Sequence, residues 1–457
     1  MPAKRQYFGT DGVRAIANTA AMTPEFVVRL GQAAASQLIG KHSGTGGMRP
    51  VCIIGRDTRL SGDMLEAALA AGLNSAGVDV LLCGVIPTPA VAYLVAQEKA
   101  AFGAVVSASH NPFHDNGVKF IGHDGYKLSD EQELAIEAAH ASKDLLAERP
   151  RDTAIGRTRL FPDGVERYIA HALTSMEGRK LEGLHVALDN ANGAACVTST
   201  EALRRLGAKV EAFHSFPDGS NINEDCGCTH PAVISALVKQ AGATVGISHD
   251  GDADRVLLCD ETGLPLSGDE VIAIAATHML RKGTLKDNTI AATVMSNYGL
   301  DELITGLGGK VLRTAVGDRY LVAAMREQGL NFGAEESGHI VFRDFATTGD
   351  GLVAALQILK IMAETGEPLS ALRRCLTPYP QTKRYFAVSS KPPLEELAAA
   401  QALIAKTEKK LAGLGRVLLR YSGTEPLIRL LIEGRDSEYI ETQADKIAAA
   451  IKAQIGA

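Results

Sequence analysis

The sequence predicts an α/β fold: three similar mixed α/β domains around a central cleft, plus a smaller C-terminal α+β domain. Helix-patterned segments alternate with short apolar runs, the arrangement that lays helices on the faces of a largely parallel sheet. Polar, glycine-containing loops recur after such runs at roughly domain spacing, a weak internal repeat too diverged to align residue by residue. The length of 457 residues agrees, because about 150 residues per domain gives three and allows four.

The elements follow in order. A helix from Pro24 to Ile39 is amphipathic and opens with Thr23-Pro24, a capping residue and then proline at the first helical position. Next come a strand at Val51-Cys52-Ile53-Ile54, a polar turn at Gly55-Arg56-Asp57-Thr58-Arg59 and a helix from Asp63 to Ser75. Strands from Val78 to Cys83 and Phe102 to Val106, then a helix from Ser129 to Ala141, complete the first unit. Polar residues from Lys143 to Arg157 separate it from the second, whose strands are Leu184 to Leu188, Lys209 to Phe213 and Ala243 to Ile247. The third unit repeats the theme with Thr289 to Met295 and Val311 to Thr314. Pro378, Pro380 and the polar residues around Thr382 mark a linker. Beyond it a strand from Arg384 to Val388, a helix from Pro393 to Leu411, strand-like runs Arg416 to Leu419 and Leu430 to Ile432, and a helix from Tyr439 to Lys452 form an α+β pattern.

Composition narrows the function classes. Hydrophobic residues make up 46% of the chain, enough for packed cores. The net charge of −6 is spread without a basic tract, which argues against a nucleic-acid partner. No membrane span is evident, and the N-terminal residues Met1 to Tyr7 lead straight into polar sequence, with neither signal peptide nor anchor expected. Seven cysteines is an odd number; Cys52, Cys83 and Cys259 lie in apolar runs as small buried hydrophobes, and a reducing cytoplasm fits that usage. Cys226-Gly227-Cys228-Thr229-His230 lacks a second ligand pair at zinc-finger spacing and reads as a loop. The oligomeric state is open, with a homodimer compatible.

Four loops carry chemistry. Ser109, in Val106-Ser107-Ala108-Ser109-His110-Asn111-Pro112, follows a buried strand, and Asn111-Pro112 ends it by turn chemistry. Its hydroxyl is therefore expected at a strand's carboxyl end, where open α/β sheets bind ligands; the bland alternative is an ordinary loop. Asp250, Asp252 and Asp254 alternate in His249-Asp250-Gly251-Asp252-Ala253-Asp254-Arg255, and three carboxylates so close call for a hard divalent ion. A calcium EF-hand fails, because Arg255 holds the position that wants glycine and strands flank the loop. Mg²⁺ with a phosphate oxygen as fourth ligand fits better; a solvated acidic turn is the alternative. Gly333-Ala334-Glu335-Glu336-Ser337-Gly338-His339 combines open backbone with hydroxyl-bonding side chains and suits a sugar, or is a plain hairpin turn. Arg420, Ser422, Gly423, Thr424 and Arg429 fall in a loop joining two strands, where guanidinium forks and amides suit a phosphate, or form a solvated basic turn.

Together with Phe8-Gly9-Thr10-Asp11-Gly12-Val13-Arg14, these four loops resemble, in order and end to end, the α-D-phosphohexomutase family. The likeness is strongest to its glucosamine-phosphate branch, through Ser422 to Pro426 and Thr314 to Tyr320. The resemblance implies three related α/β domains and a smaller fourth: 1–160 with the phosphoserine loop, 161–262 with the metal loop, 263–377 with the sugar loop and 378–457 binding phosphate. It implies interconversion of glucosamine 6-phosphate and glucosamine 1-phosphate through phospho-Ser109, with glucosamine 1,6-bisphosphate as intermediate and activator, and Mg²⁺ held by Asp250, Asp252, Asp254 and the Ser109 phosphate. Lys119 would be the acid and base, its pKa lowered by nearby cations and partial desolvation. Arg14, His339 and Arg255 would surround the transferring group, Glu335 and Ser337 would hold sugar hydroxyls, and Arg420, Ser422, Gly423, Thr424 and Arg429 would grip the idle phosphate. The partner is then a small amino-sugar phosphate, in a cytoplasmic enzyme that supplies UDP-N-acetylglucosamine and cell-wall precursor synthesis. The open alternatives are a phosphoglucomutase or phosphomannomutase of the same family, a phosphatase using Asp250 as nucleophile, and a non-catalytic sugar-phosphate binder.

Overall fold

The computed structural model describes residues 5–39, 49–145, 147–422 and 426–456. Among them, six strands form the first sheet: β1 (Val13–Ile16), β2 (Val51–Arg56), β3 (Asp79–Val85), β4 (Phe102–Val106), β5 (Asp115–Gly122) and β6 (Thr158–Leu160), in the order β1-β5-β4-β2-β3-β6. The second sheet uses β7 (His185–Asp189), β8 (Lys209–Phe213), β9 (Val245–His249) and β10 (Val256–Asp260), in the order β10-β9-β7-β8. The third uses β11 (Thr289–Thr293), β12 (Lys310–Thr314), β13 (Phe332–Ala334) and β14 (Ile340–Phe342), in the order β12-β11-β13-β14. β15 (Gln381–Ala387), β16 (Gly415–Tyr421) and β17 (Leu427–Gly434) make an antiparallel sheet, with β17 in the middle.

The expected repeat is exact in topology. In each of the first three sheets one strand (β2, β7, β11) pairs in parallel with the strand after it (β3, β8, β12) and with the next (β4, β9, β13). The third strand of each set then turns back through a hairpin to an antiparallel fourth: β4 to β5, β9 to β10, β13 to β14. The serine loop, the aspartate loop and the sugar loop are those three hairpins. A register shared at the backbone survives divergence of the side chains, which is why residue alignment fails where strand order succeeds.

One buried apolar core runs from Ile53 and the helix Thr88–Gln97 through the helices Gly164–Thr174, Gly268–Lys282 and Gly351–Thr365 to Leu376, so the three units share an interior. The β15–β17 sheet and the helices Ala398–Leu411 and Ser437–Ile455 enclose a separate core around Ile404, Ile428, Leu430 and Ile447. Helix starts follow local chemistry. Thr23 caps Pro24–Leu38, and Ser129 with Gln132 forms a capping box on Asp130–Ala141, satisfying amides that the first turn leaves unpaired.

Several boundaries differ from expectation. β17 runs over Leu427–Gly434, where Leu430 to Ile432 was expected. β2 runs through Gly55 and Arg56, because both pair with β4, so the polar turn starts at Asp57. The strand from Thr289 stops at Thr293, short of Met295. Thr382 is a strand residue paired with Ile432, not linker. The helix placed from Pro393 begins at Ala398, after a 3₁₀ turn at Leu394–Glu396. Cys226 to His230 is a loop, as expected. Cys52 and Cys259 are buried, whereas Cys83 is only partly so.

Candidate active site

The serine hairpin is over-determined. Ser109 has φ 53°, a left-handed backbone that an L-residue adopts at a cost, and such strain persists only where neighbours fix it. Arg59, 1% exposed, provides much of that fixing: its Nη2 donates to the carbonyls of Ser109 (2.9 Å) and Asn111 (2.8 Å), its Nη1 to those of Asp115 (3.0 Å) and Pro112, and its Nε to Asp57 (2.8 Å). The Ser107 hydroxyl donates to Asp57 (2.6 Å) and accepts from the Ser109 amide (2.9 Å). From the second unit, Asn223 Nδ2 donates to the Ser109 carbonyl at 2.8 Å. Gly251 is required where it stands, because a Cβ there would lie 2.6 Å from that same carbonyl oxygen.

That close approach delivers the aspartate hairpin to the serine. Ser109 Oγ donates to Asp250 Oδ2 at 2.7 Å and also meets His110 Nδ1 at 3.2 Å. Asp250, Asp252 and Asp254 are all buried and offer oxygens within 4.8 Å of one another. Burial and the two neighbouring carboxylates push Asp250 up to about 8. Burial opposes charge on Asp254 as well, but Lys119 and His339 hold its pKa down. Asp252 Oδ1 and Asp254 Oδ1 are buried and lack any hydrogen-bond partner. Unsatisfied carboxylate oxygens converging below a serine hydroxyl fit a hard divalent cation, which would supply the missing partner.

Lys119 lies on β5 with its side chain 3% exposed, and its setting corrects one expectation. Its Nζ meets Asp11 Oδ2 and Asp252 Oδ2, both at 2.7 Å, with Asp254 Oδ2 at 3.9 Å. Burial favours the neutral amine, but the carboxylates outweigh it and raise the pKa, so the lysine is held as an ammonium instead of being depressed by cations. The reason is distance in sequence: Asp11 and Asp252 arrive from other segments.

Of these groups, Asp11, His110 and Asp254 open onto a cleft of about 500 Å³. Arg14, His110, Asp254 and Arg255 line it together with Glu335, Ser337 and His339. Ser109 itself is 1% exposed, just beneath that surface. Arg14 reaches the Ala108 carbonyl at 3.4 Å and Asp11 Oδ2 at 2.7 Å, while the Arg255 amide donates to Asp250 Oδ1 at 3.3 Å. Glu335 Oε1 accepts the Gly317 amide at 3.0 Å. The Gly349 amide donates to His339 Nε2 at 3.0 Å, which leaves the ring's proton on Nδ1, 3.7 Å from Asp254.

The fourth loop stands apart. Arg420 and Arg429 are opposite one another in the β16–β17 register, and Arg429 Nη2 lies 3.5 Å from Ser422 Oγ. None of these three lines the cleft; Arg420 approaches it through Met295 Sδ, 3.7 Å away. Gly423 and Thr424 lie outside the described residues. Asp11, His110, Lys127 and Asp318 also line the cleft; the sequence motifs contain the first, second and fourth without assigning them a role, and Lys127 lies in none of them. Burial, then Arg255 and Arg14, lower the His110 pKa to about 4, so its ring stays neutral beside the serine. Adjacency to Ser109 was the only available signal for it.

Family models for phosphoglucomutase/phosphomannomutase match almost the whole chain: alpha/beta/alpha domain I over 5–147, domain II over 166–263, domain III over 267–379 and the C-terminal domain over 385–450. The chain belongs to that family. A phosphoglucosamine mutase of Anaeromyxobacter sp. (strain Fw109-5) is 45% identical over 461 residues, 100% of this chain and 97% of the relative. Among solved structures, a phosphoglucomutase/phosphomannomutase family protein from Burkholderia thailandensis shares the fold with TM-score 0.80 at 24% identity, covering 97% of each chain. The N-acetylphosphoglucosamine mutase of Aspergillus fumigatus, solved with GlcNAc-6P and magnesium, has TM-score 0.60 at 21% identity, covering 93% of this chain and 99% of that one. The family member described here is thus a phosphohexomutase whose acidic triad can hold a metal. Among the described residues, no helix is long and apolar enough to cross a membrane.

Proposed function

We propose that this chain interconverts glucosamine 6-phosphate and glucosamine 1-phosphate through a phosphoserine at Ser109. The observation that carries the proposal is the 2.7 Å contact between Ser109 Oγ and Asp250 of the buried aspartate trio, next to a cleft that Asp254, Glu335, Ser337 and His339 line. The phosphoglucosamine mutase relative at 45% identity supports the choice of amino sugar.

In the first half-reaction the bond from phosphorus to Ser109 Oγ breaks and one to the sugar O1 forms. Lys119, an ammonium in its present setting, hands a proton to the departing Oγ and recovers one from the attacking hydroxyl, so the lysine ends as it began. The product is glucosamine 1,6-bisphosphate. It reorients, Ser109 Oγ attacks the 6-phosphorus, and O6 takes the proton that Oγ gave up. Arg14 and Arg255 bring positive charge to the equatorial oxygens, and His339 donates from Nδ1. Asp250, Asp252 and Asp254 would hold Mg²⁺ together with a phosphoserine oxygen, and the ion when bound supplies charge that stabilises the transferring group. Glu335 and Ser337 orient sugar hydroxyls, and Arg420, Ser422 and Arg429, with Gly423 and Thr424, hold the phosphate that is not reacting. The domain division at 160, 262 and 377, a cytoplasmic setting and supply of UDP-N-acetylglucosamine belong to the same proposal.

Turnover of glucosamine, glucose and mannose 6-phosphates by the wild-type chain and Ser109→Ala tests it. Glucosamine 6-phosphate is expected to be preferred, and the variant to lose roughly a thousandfold or more of kcat. Preference for a neutral sugar would overturn the substrate assignment, and phosphopeptide mapping to another residue would overturn the serine.

A further inference from the structure

Six side chains from three domains form a closed circuit beside the cleft. Lys119 Nζ meets Asp11 Oδ2 at 2.7 Å, and Asp11 Oδ1 meets Lys127 Nζ at 2.7 Å. Lys127 also pairs with Asp318, from the third domain, whose Oδ2 lies 3.6 Å from His339 Nε2. His339 Nδ1 faces Asp254 Oδ2 at 3.7 Å, and Asp254 returns to Lys119 at 3.9 Å. Lys127 and Asp318, like Asp11, touch neither the serine nor the aspartate trio. Their side chains are only 12% and 10% exposed, and buried charges of this kind are retained for what they hold in place as much as for stability.

We infer that Lys127 and Asp318 are positioning residues that set Lys119 and Arg14 through Asp11, making phosphoryl transfer depend on the sugar-binding domain. The inference rests on the proposed phosphoserine chemistry. Asp11 is the junction: its Oδ2 is shared by Lys119 and Arg14, both at 2.7 Å, so the plane of one carboxylate aims two of the cations assigned to the reacting centre. Lys127 engages its other oxygen, and burial of Asp11 is outweighed by Lys119, Lys127 and Arg14, which keep it ionised. Lys127 in turn is anchored from across the domain boundary by Asp318. Asp318 follows Gly317, whose amide donates to Glu335 Oε1 at 3.0 Å. A sugar that draws on Glu335 therefore acts two bonds of contact away from the carboxylate that anchors Lys127. Displacing that anchor frees Asp11 to rotate, and a misplacement on the order of 1 Å in such a site costs about a hundredfold in rate.

The test uses the full chain loaded with phosphate on Ser109. Asp318→Asn keeps shape and removes charge; Asp318→Glu restores the charge at a longer reach; Lys127→Met removes the other partner. For Asp318→Asn and Lys127→Met, kcat is expected to fall about tenfold to a hundredfold. The dissociation constant of the sugar phosphate should stay within about threefold, and Asp318→Glu should recover part of the rate. Loss of phosphate to water per transfer to sugar should rise in both charge-removing variants. If the singles do not fold, Lys127→Met/Asp318→Leu removes both charges together and is expected to show the same split. A rise in KM with kcat unchanged would assign the pair to domain docking alone and overturn the inference, as would unchanged kinetics. Failure of the functional reading looks different: the wild-type chain itself would not turn over glucosamine 6-phosphate, and the variants could still be compared on whichever hexose phosphate it does convert.

Discussion

The serine hairpin and the antiparallel strands β16 and β17 are held in opposite ways. The first is locked from four directions by Arg59, Ser107, Asn223 and Gly251, inside a core continuous across three domains. The second belongs to a domain with its own core, joined to the third by polar contacts: Arg416 to the Ser296 carbonyl (2.7 Å), the Tyr298 amide to Glu433 (3.2 Å) and Asn297 to the Tyr379 carbonyl (3.0 Å). Polar interfaces without a shared apolar interior are the ones across which domains move. Under the proposed function, bond-making needs a fixed donor, whereas a ligand that turns end for end needs an anchor that can follow either phosphate.

The sharpest way to break this contrast is at Arg59. Arg59→Met takes a donor from four carbonyls and its ion pair from the buried Asp57, although Asn223 still serves the Ser109 and Asn111 carbonyls and Ser107 still serves Asp57, so unfolding free energy should drop by about 3–5 kcal/mol in urea melts. A loss below about 1 kcal/mol would mean the hairpin is held by something else. On the adjustable side, Arg420→Ala should leave the urea midpoint unchanged and raise KM about tenfold, the value of one hydrogen bond to a charged group; a collapse of kcat with KM intact would place Arg420 at the reacting centre. The smallest effect is expected at Ala253, which has φ 56° in the aspartate hairpin. Ala253→Gly should change stability by less than about 1 kcal/mol, in the stabilising direction, as relief of the left-handed strain offsets added chain freedom. A clear destabilisation would show that the methyl group packs more than it strains.

Much of the site was legible in the sequence because its loops are local. Alternating aspartates announce charge crowding within five residues, and Ser109 follows an unmistakable apolar strand. The circuit was not legible, since Asp11 and Lys127 are 116 residues apart and Lys127 and Asp318 are 191 apart. The direction of the Lys119 shift was misjudged for the same reason: its partners are brought by tertiary folding. β5 itself begins Asp115-Asn116-Gly117, residues typical of turns, which masks a strand from periodicity. Helix limits missed by a few residues where proline and acidic residues formed a 3₁₀ turn instead, as at Leu394–Glu396.

The recurrence of one strand order three times has a consequence for how such a molecule can change. The three tips that this order produces meet one another, Gly251 against the Ser109 carbonyl and His339 facing Asp254, so a change in one tip reaches its neighbours. Exchanging the loop between β13 and β14 alone would therefore also alter the surroundings of Asp254 and Asp318.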